Sequence, residues 1–258
     1  MDLPDLVLVH GGAHAGDCWD LTVAELASQE PKLRVLAVDL PGRGRNPADL
    51  ATVTIADWAE SVVTDVEKAS LGDVVVVGHS MGGLTVPGVV ARLGATRVRE
   101  MVLAAAFVPP QGLSVVDTLR GPLAPLARAG PRANISVGLP KTAAKLAFWN
   151  AMSRERQRYA RSRLYPESVG VITERVDRSD LPVEVPRTWI MTLRDRALSL
   201  RQQLRCITSL GGVDTLVCID TCHDLMYSQP GRLASILLER CRFRAPSGCS
   251  EGQEREKR

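Results

Sequence analysis

The chain has 258 residues, is 45% hydrophobic and carries a net charge of +3. That is apolar material for one sizeable core, and so small a charge gives no reason to expect nucleic acid or an acidic membrane as partner. No apolar run reaches the ~18–20 residues of a membrane-crossing helix, and the opening MDLPDLVLVH has Asp2 and Asp5 where a secretion signal carries Lys or Arg, so the expected compartment is the cytoplasm.

In chain order, β-rich apolar runs alternate with segments of helical period. Strand Leu6–Val9 precedes helix Trp19–Ser28, strand Val35–Val38 precedes helix Ile55–Ala69, and strand Val74–Val77 precedes helix Ser80–Leu93. Strand Met101–Ala105 follows. After a break come strand Thr188–Leu193, helix Ala197–Ser209, strand Thr215–Ile219 and helix Gly231–Cys241. Each strand run is nearly continuous in apolar residues, the pattern of strands buried on both faces of a parallel sheet. The alternation predicts an α/β fold with helices on both sides of that sheet.

The break lies between Gln111 and Pro186. Pro109, Pro110, Pro122, Pro125, Pro131 and Pro140 punctuate it, no strand is evident, and a polar helical stretch runs from Lys141 to Leu164. We expect a helical cap, residues 111–185, inserted into a core made of residues 1–110 and 186–243. The polar, aperiodic segment 244–258 is expected to be a disordered tail. The six cysteines (Cys18, Cys206, Cys218, Cys222, Cys241 and Cys249) contain no C-x-x-C pair and read as reduced thiols.

DVVVVGHSMGGL, Asp73 to Leu84, ends four valines on Gly78-x-Ser80-x-Gly82. G-x-S-x-G between a strand and a helix is the pattern of a nucleophile elbow. The chain turns sharply, Ser80 is left at the tip in a strained conformation, and side chains two residues to either side would collide. The helix that follows aims its N-terminus at the reacting centre. Pro87 falls inside that helix, where a local kink is expected.

A serine that attacks a carbonyl needs a base, an acid behind the base, and two N–H groups for the developing oxyanion. Met81, directly after the serine, supplies one N–H. His10-Gly11-Gly12, after the first strand, supplies the other, with Gly12 N–H the candidate. Of the four histidines, His79 neighbours Ser80 and points away from it, and His10 and His14 belong to the oxyanion loop. His223, after the last strand, is left as the base. Asp195, after the strand TWIMTL, has the chain order Ser, Asp, His. Asp220 is too close along the chain to reach round to His223, Asp224 is expected to point into the next helix, and Asp177 and Asp180 lie in the cap.

These residues together resemble an α/β-hydrolase of the plant methylesterase, salicylate-binding protein and hydroxynitrile lyase group, with its bacterial esterase relatives. The resemblance runs from LVLVHGGAHAGDCW through VLAVDLPGRG, VVVVGHSMGGL and MVLAAAFVPP to TLRDRAL and DTCHDLM, and is weakest in the cap. It implies a six-stranded, mostly parallel sheet and an oxyanion loop reading His-Gly-x-x-His, as in His10–His14. It also implies an acid and a histidine at about the spacing of Asp195 and His223. The lyases carry a threonine and a lysine where this chain has Gly11 and Asp224. The resemblance is therefore to the esterase branch, and Asp224 is expected to raise the pKa of His223.

The expected activity is hydrolysis of a small carboxylic ester through Ser80, His223 and Asp195, with no cofactor. Lactonase, C–C hydrolase, lyase or cyclase chemistry on the same fold, or a non-catalytic small-molecule receptor, are the alternatives. His10 and His14 lack a third partner at metal-ligand spacing, so no metal site is expected. Cys222 reads as a buried, inert thiol, Arg154–Arg163 as a solvated helix face, and Asp39 as a residue that shapes its loop. Phe148, Trp149 and Met152 either line the substrate pocket or pack the cap. Gly11, Leu84 and Phe107 are further pocket candidates.

Overall fold

The computed structural model describes residues 3–118, 136–137, 141–150 and 152–243. The expected tail, and Pro122, Pro125, Pro131 and Pro140 of the cap, lie outside the described residues. The strands are β1 (Asp5–Val9), β2 (Val35–Ala37), β3 (Val74–His79), β4 (Val98–Ala104), β5 (Ser136–Val137), β6 (Glu167–Ser168), β7 (Arg187–Thr192) and β8 (Thr215–Ile219). The helices are α1 (Asp20–Gln29), α2 (Ile55–Lys68), α3 (Gly82–Leu93), α4 (Val115–Thr118), α5 (Lys141–Phe148), α6 (Arg154–Arg161), α7 (Val169–Thr173), α8 (Leu200–Ser209), α9 (Leu225–Ser228) and α10 (Pro230–Arg242).

Six strands form one sheet in the order β2-β1-β3-β4-β7-β8, each neighbouring pair parallel. Alternate residues of its central strands feed two apolar layers. Val7, Val9, Val74 and Val76 pack with Trp58, Val62 and Val66 of α2 and with Val86, Val89 and Val90 of α3. Leu6, Leu8, Val75 and Val77 pack on the other face with Leu26 of α1 and Leu233 and Leu237 of α10. Because every strand runs the same way, all carboxyl ends reach one edge, where loops in open α/β sheets gather ligands.

Register then decides which loops meet. Val9 pairs with Gly78, so the loop after β1 lies against Ser80. Thr192 pairs with Ile219, which sets the loop carrying Asp195 beside the one carrying His223.

Three expectations need correction. The outer strands are not buried on both faces: β2 is half-buried throughout, and in β8 Leu216 and Cys218 are exposed. They are the sheet's edges, and an apolar run alone does not distinguish an edge from a centre. Residues 111–186 are not strandless, since Ser136–Val137 pairs antiparallel with Glu167–Ser168; two-residue strands carry no readable period. The stretch Lys141–Leu164 is two helices, α5 and α6, with Ser153 starting the second by accepting the Arg156 N–H at 3.2 Å. α3 is continuous across Pro87.

Candidate active site

Ser80 follows the last residue of β3 with φ at 49°, a left-handed conformation costly for a residue with a side chain. The flanking glycines are required, and the obstacles are specific. A Cβ on Gly78 would stand 2.8 Å from Val86 Cγ2 and 3.1 Å from the Gly82 carbonyl carbon. One on Gly82 would stand 3.0 Å from the Val9 carbonyl oxygen, and one on Gly83 2.7 Å from that of Phe107. Phe107 N–H in turn donates to the Ser80 carbonyl at 2.7 Å.

The structure brings together three residues far apart in sequence. Ser80 Oγ lies 2.8 Å from His223 Nε2, and His223 Nδ1 lies 2.7 Å from Asp195 Oδ2. Asp195 is anchored from all sides. Its Oδ2 also accepts from Thr192 Oγ1 at 2.8 Å, and its Oδ1 accepts the N–H groups of Ala197 and Leu198 at 2.8 and 2.7 Å. So placed, the carboxylate fixes the imidazole's tautomer, with Nδ1–H donating and Nε2 free to accept from Ser80. Burial pulls the His223 pKa down, but the charge and hydrogen bond of Asp195, joined by Asp224, outweigh it, and the net shift is upward.

The Gly11–Gly12 backbone is pressed against the serine, since a Cβ on Gly11 would stand 2.7 Å from Ser80 Cβ and one on Gly12 2.5 Å from Met81 Sδ. Neither Gly12 N–H nor Met81 N–H donates to an acceptor among the described residues. Met81 directly follows the serine beside the N-terminus of α3, and Gly12 lies against the Met81 side chain.

The remaining histidines are structural parts of the site. His10 is buried, which depresses its pKa to about 3; neutral, it accepts the Leu40 N–H at Nε2 (3.1 Å) and donates from Nδ1 to the Gly11 carbonyl. His79, also depressed to about 3 by burial and by the nearby His223, donates from Nε2 to the His223 carbonyl at 3.1 Å. It points away from Ser80 yet holds the loop of the histidine that meets it.

Asp224 does not point into the next helix. It is fully buried and faces inward, where its Oδ2 lies 3.3 Å from His14 Nε2 and accepts from Trp149 Nε1 at 2.7 Å. Burial works against both charges, but each opposes the other's penalty: the His14 pKa ends raised and that of Asp224 lowered. They form a buried ion pair behind His223. Sequence reading missed it because nothing along the chain links residue 14 to residue 224. The one available signal was an acid directly after the base.

Of the pocket candidates, Phe148 places its ring 5.1 Å from that of His223. Trp149 is buried and donates to Asp224, and Met152 is partly buried against the core. Leu84 is buried under the elbow. Phe107 lines a groove of about 370 Å³ with Val108, Pro110, Leu113, Leu198 and Cys206. Asp39 shapes its loop by accepting the N–H groups of Gly16 and Arg45. His79, His223 and Asp224 offer donor atoms within 4.8 Å of one another; both ring nitrogens of His223 are engaged, by Ser80 and Asp195, while His79 Nδ1 and Asp224 Oδ1 have no hydrogen-bond partner among the described residues.

Known proteins resemble this chain in sequence and fold. The esterase of Nocardioides sp. (strain SG-4G) named carbendazim hydrolyzing esterase is 37% identical over 125 residues, 48% of this chain and 50% of that protein, so the match spans half of that relative's length. Methylesterase 18 of Arabidopsis thaliana is 24% identical over 254 residues, 90% of this chain and 95% of that protein. Among solved structures, an extracellular α/β-hydrolase from a Paenibacillus species, described as sharing structural and functional homology with tobacco salicylic acid binding protein 2, superposes with a TM-score of 0.79. Its identity is 22%, over 92% of this chain and 98% of that one, a likeness of fold. The model of the alpha/beta hydrolase family matches residues 6–236. The chain belongs to the alpha/beta hydrolase family.

Proposed function

We propose that the protein hydrolyses a small carboxylic ester, with Ser80 as nucleophile, His223 as general base and acid, and Asp195 as its partner. The observation that carries this reading is the unbroken chain from Ser80 Oγ to His223 Nε2 (2.8 Å) and from His223 Nδ1 to Asp195 (2.7 Å). His223 takes the Ser80 proton as Oγ attacks the ester carbonyl carbon. The carbonyl oxygen becomes an oxyanion held by Gly12 and Met81 N–H. As that intermediate collapses, His223 protonates the departing alcohol and the acyl group stays on Ser80. Water, deprotonated by His223, then releases the acid and restores the serine.

The names of the relatives support an ester substrate: one is called an esterase and another a methylesterase. Asp224 supports ester cleavage over cyanide release, because the position directly after His223, a lysine in the lyases that the sequence resembles, holds a buried acid here. We read the described residues between 111 and 185 as part of a cap, with Phe148 against His223 forming part of the substrate cavity.

Hydrolysis of p-nitrophenyl esters of graded acyl length tests the reading. The wild-type protein turns over at least the short esters, and Ser80→Ala loses ~10³-fold or more in kcat. Undiminished turnover by Ser80→Ala refutes the assignment.

A further inference from the structure

The segment 163–168 ends in β6 and lies across the loop that carries Gly12. In that loop Ala13 has φ at 58°, a left-handed conformation that a residue with a side chain adopts only when its surroundings impose it. Both backbone polar groups of Ala13 are gripped from this segment. Its N–H donates to Glu167 Oε2 at 2.9 Å, and its carbonyl accepts the Tyr165 N–H at 2.9 Å. Tyr165 is itself fastened to the turn that follows the loop, its hydroxyl donating to Asp17 Oδ2 at 3.0 Å.

Glu167 also approaches Gly12 directly, since a Cβ there would stand 2.9 Å from Oε2. A bare carboxylate so close to a developing oxyanion would oppose it. Its charge is matched by Arg43, whose fully buried side chain donates from Nη2 to Oε1. Oε1 accepts the Ser168 N–H as well, at 2.7 Å. Donors therefore face both oxygens, a demand that a carboxylate meets and an amide does not.

We propose that Glu167 is a positioning residue of the oxyanion site: by holding Ala13 in its left-handed conformation it aims the Gly12 N–H at the ester carbonyl oxygen. The site is complete only while the segment 163–168 is seated on the loop. Glu167 touches no reacting atom. The proposal rests on the reading of Gly12 and Ser80 given above.

The test uses the full chain and p-nitrophenyl butyrate. In Glu167→Gln the amide turns its oxygen to Arg43 and its NH₂ toward Ala13, so the grip on the loop is lost. We expect kcat to fall about tenfold, short of the 10²–10³ typical of deleting an oxyanion donor outright. KM stays within about twofold because ground-state binding is untouched. The acid limb of the pH–rate profile does not move, because His223 and Asp195 are unaltered. The split itself, a lower kcat with KM and the acid limb unmoved, is what a merely structural loss would not give. Should Glu167→Gln fail to fold, Glu167→Asp keeps the charge facing Arg43 but withdraws the oxygen from Ala13, with the same fall in kcat expected. Unchanged kcat, or a rise in KM alone, overturns the proposal. Failure of the underlying reading is seen separately, as a wild-type protein that neither turns over the ester nor reacts with a fluorophosphonate.

Discussion

Around Ser80, position is set by backbones that leave no room for a side chain; around Asp224 and Glu167, it is set by buried charge. The elbow forms because β3 is packed on both faces and α3 starts hard against it at Gly78, against the end of β1 at Gly82 and against the Phe107 carbonyl at Gly83. Trp149 is held where it meets Asp224 and His14, and the segment 163–168 where Glu167 meets Arg43 and Ala13. The first arrangement is local and steric and has one solution. The second depends on partners that are distant in sequence and expensive to bury singly.

The largest effect that separates the two is expected at Asp224. Replacing it by Ala leaves His14 with no counter-charge and Trp149 Nε1 with no acceptor, and removing one partner of a buried pair costs about 3–5 kcal/mol. Urea denaturation measures this; a loss below about 1 kcal/mol would mean that the insert is not seated by charge. The milder Asp224→Asn bears on activity. Asp224 helps to raise the His223 pKa, and the base must be neutral to act, so wild-type activity falls as pH drops through a midpoint above the usual ~6.5 of histidine. Without the carboxylate, that midpoint moves to lower pH. A midpoint that stays put, or rises, breaks the electrostatic half of the comparison.

Next in size is Gly83→Val, which tests the steric half. Its Cβ would fall 2.7 Å from the Phe107 carbonyl oxygen, so the strand end must shift and carry Ser80 with it, for about 1–3 kcal/mol of overpacking. Stability and kcat are expected to fall together, and an unaltered protein would show that the elbow has slack. The smallest effect on activity, with a similar one on stability, is expected from Trp149→Phe. It keeps most of the packing but deletes one hydrogen bond to a charged group, a loss of about 1.5–3 kcal/mol at most, seen as a lower thermal midpoint with kcat nearly unchanged.

What was legible in the sequence follows the same division. The valines before Gly78 announce a buried strand, and G-x-S-x-G announces the turn, because both effects act within a few residues. Asp195 and His223 could be placed since parallel strands send their following loops to one edge. β2 and β8 were misjudged because apolar content does not tell an edge strand from a central one, and Leu216 and Cys218 are exposed. β5 and β6 were missed because two residues carry no period. The inward turn of Asp224 was missed because its partner is His14. Glu167 carried no motif, and its place against Ala13 depends on how the whole insert comes to rest.

Ser80 is proposed as the nucleophile, and the site of covalent capture by a fluorophosphonate tests that role without an assumed substrate. The full chain is treated with the reagent at neutral pH, digested, and the adduct located by mass spectrometry. The account predicts one modified peptide, carrying the phosphonyl group on Ser80, and no adduct in Ser80→Ala. An adduct on another residue, or labelling undiminished in Ser80→Ala, would contradict it.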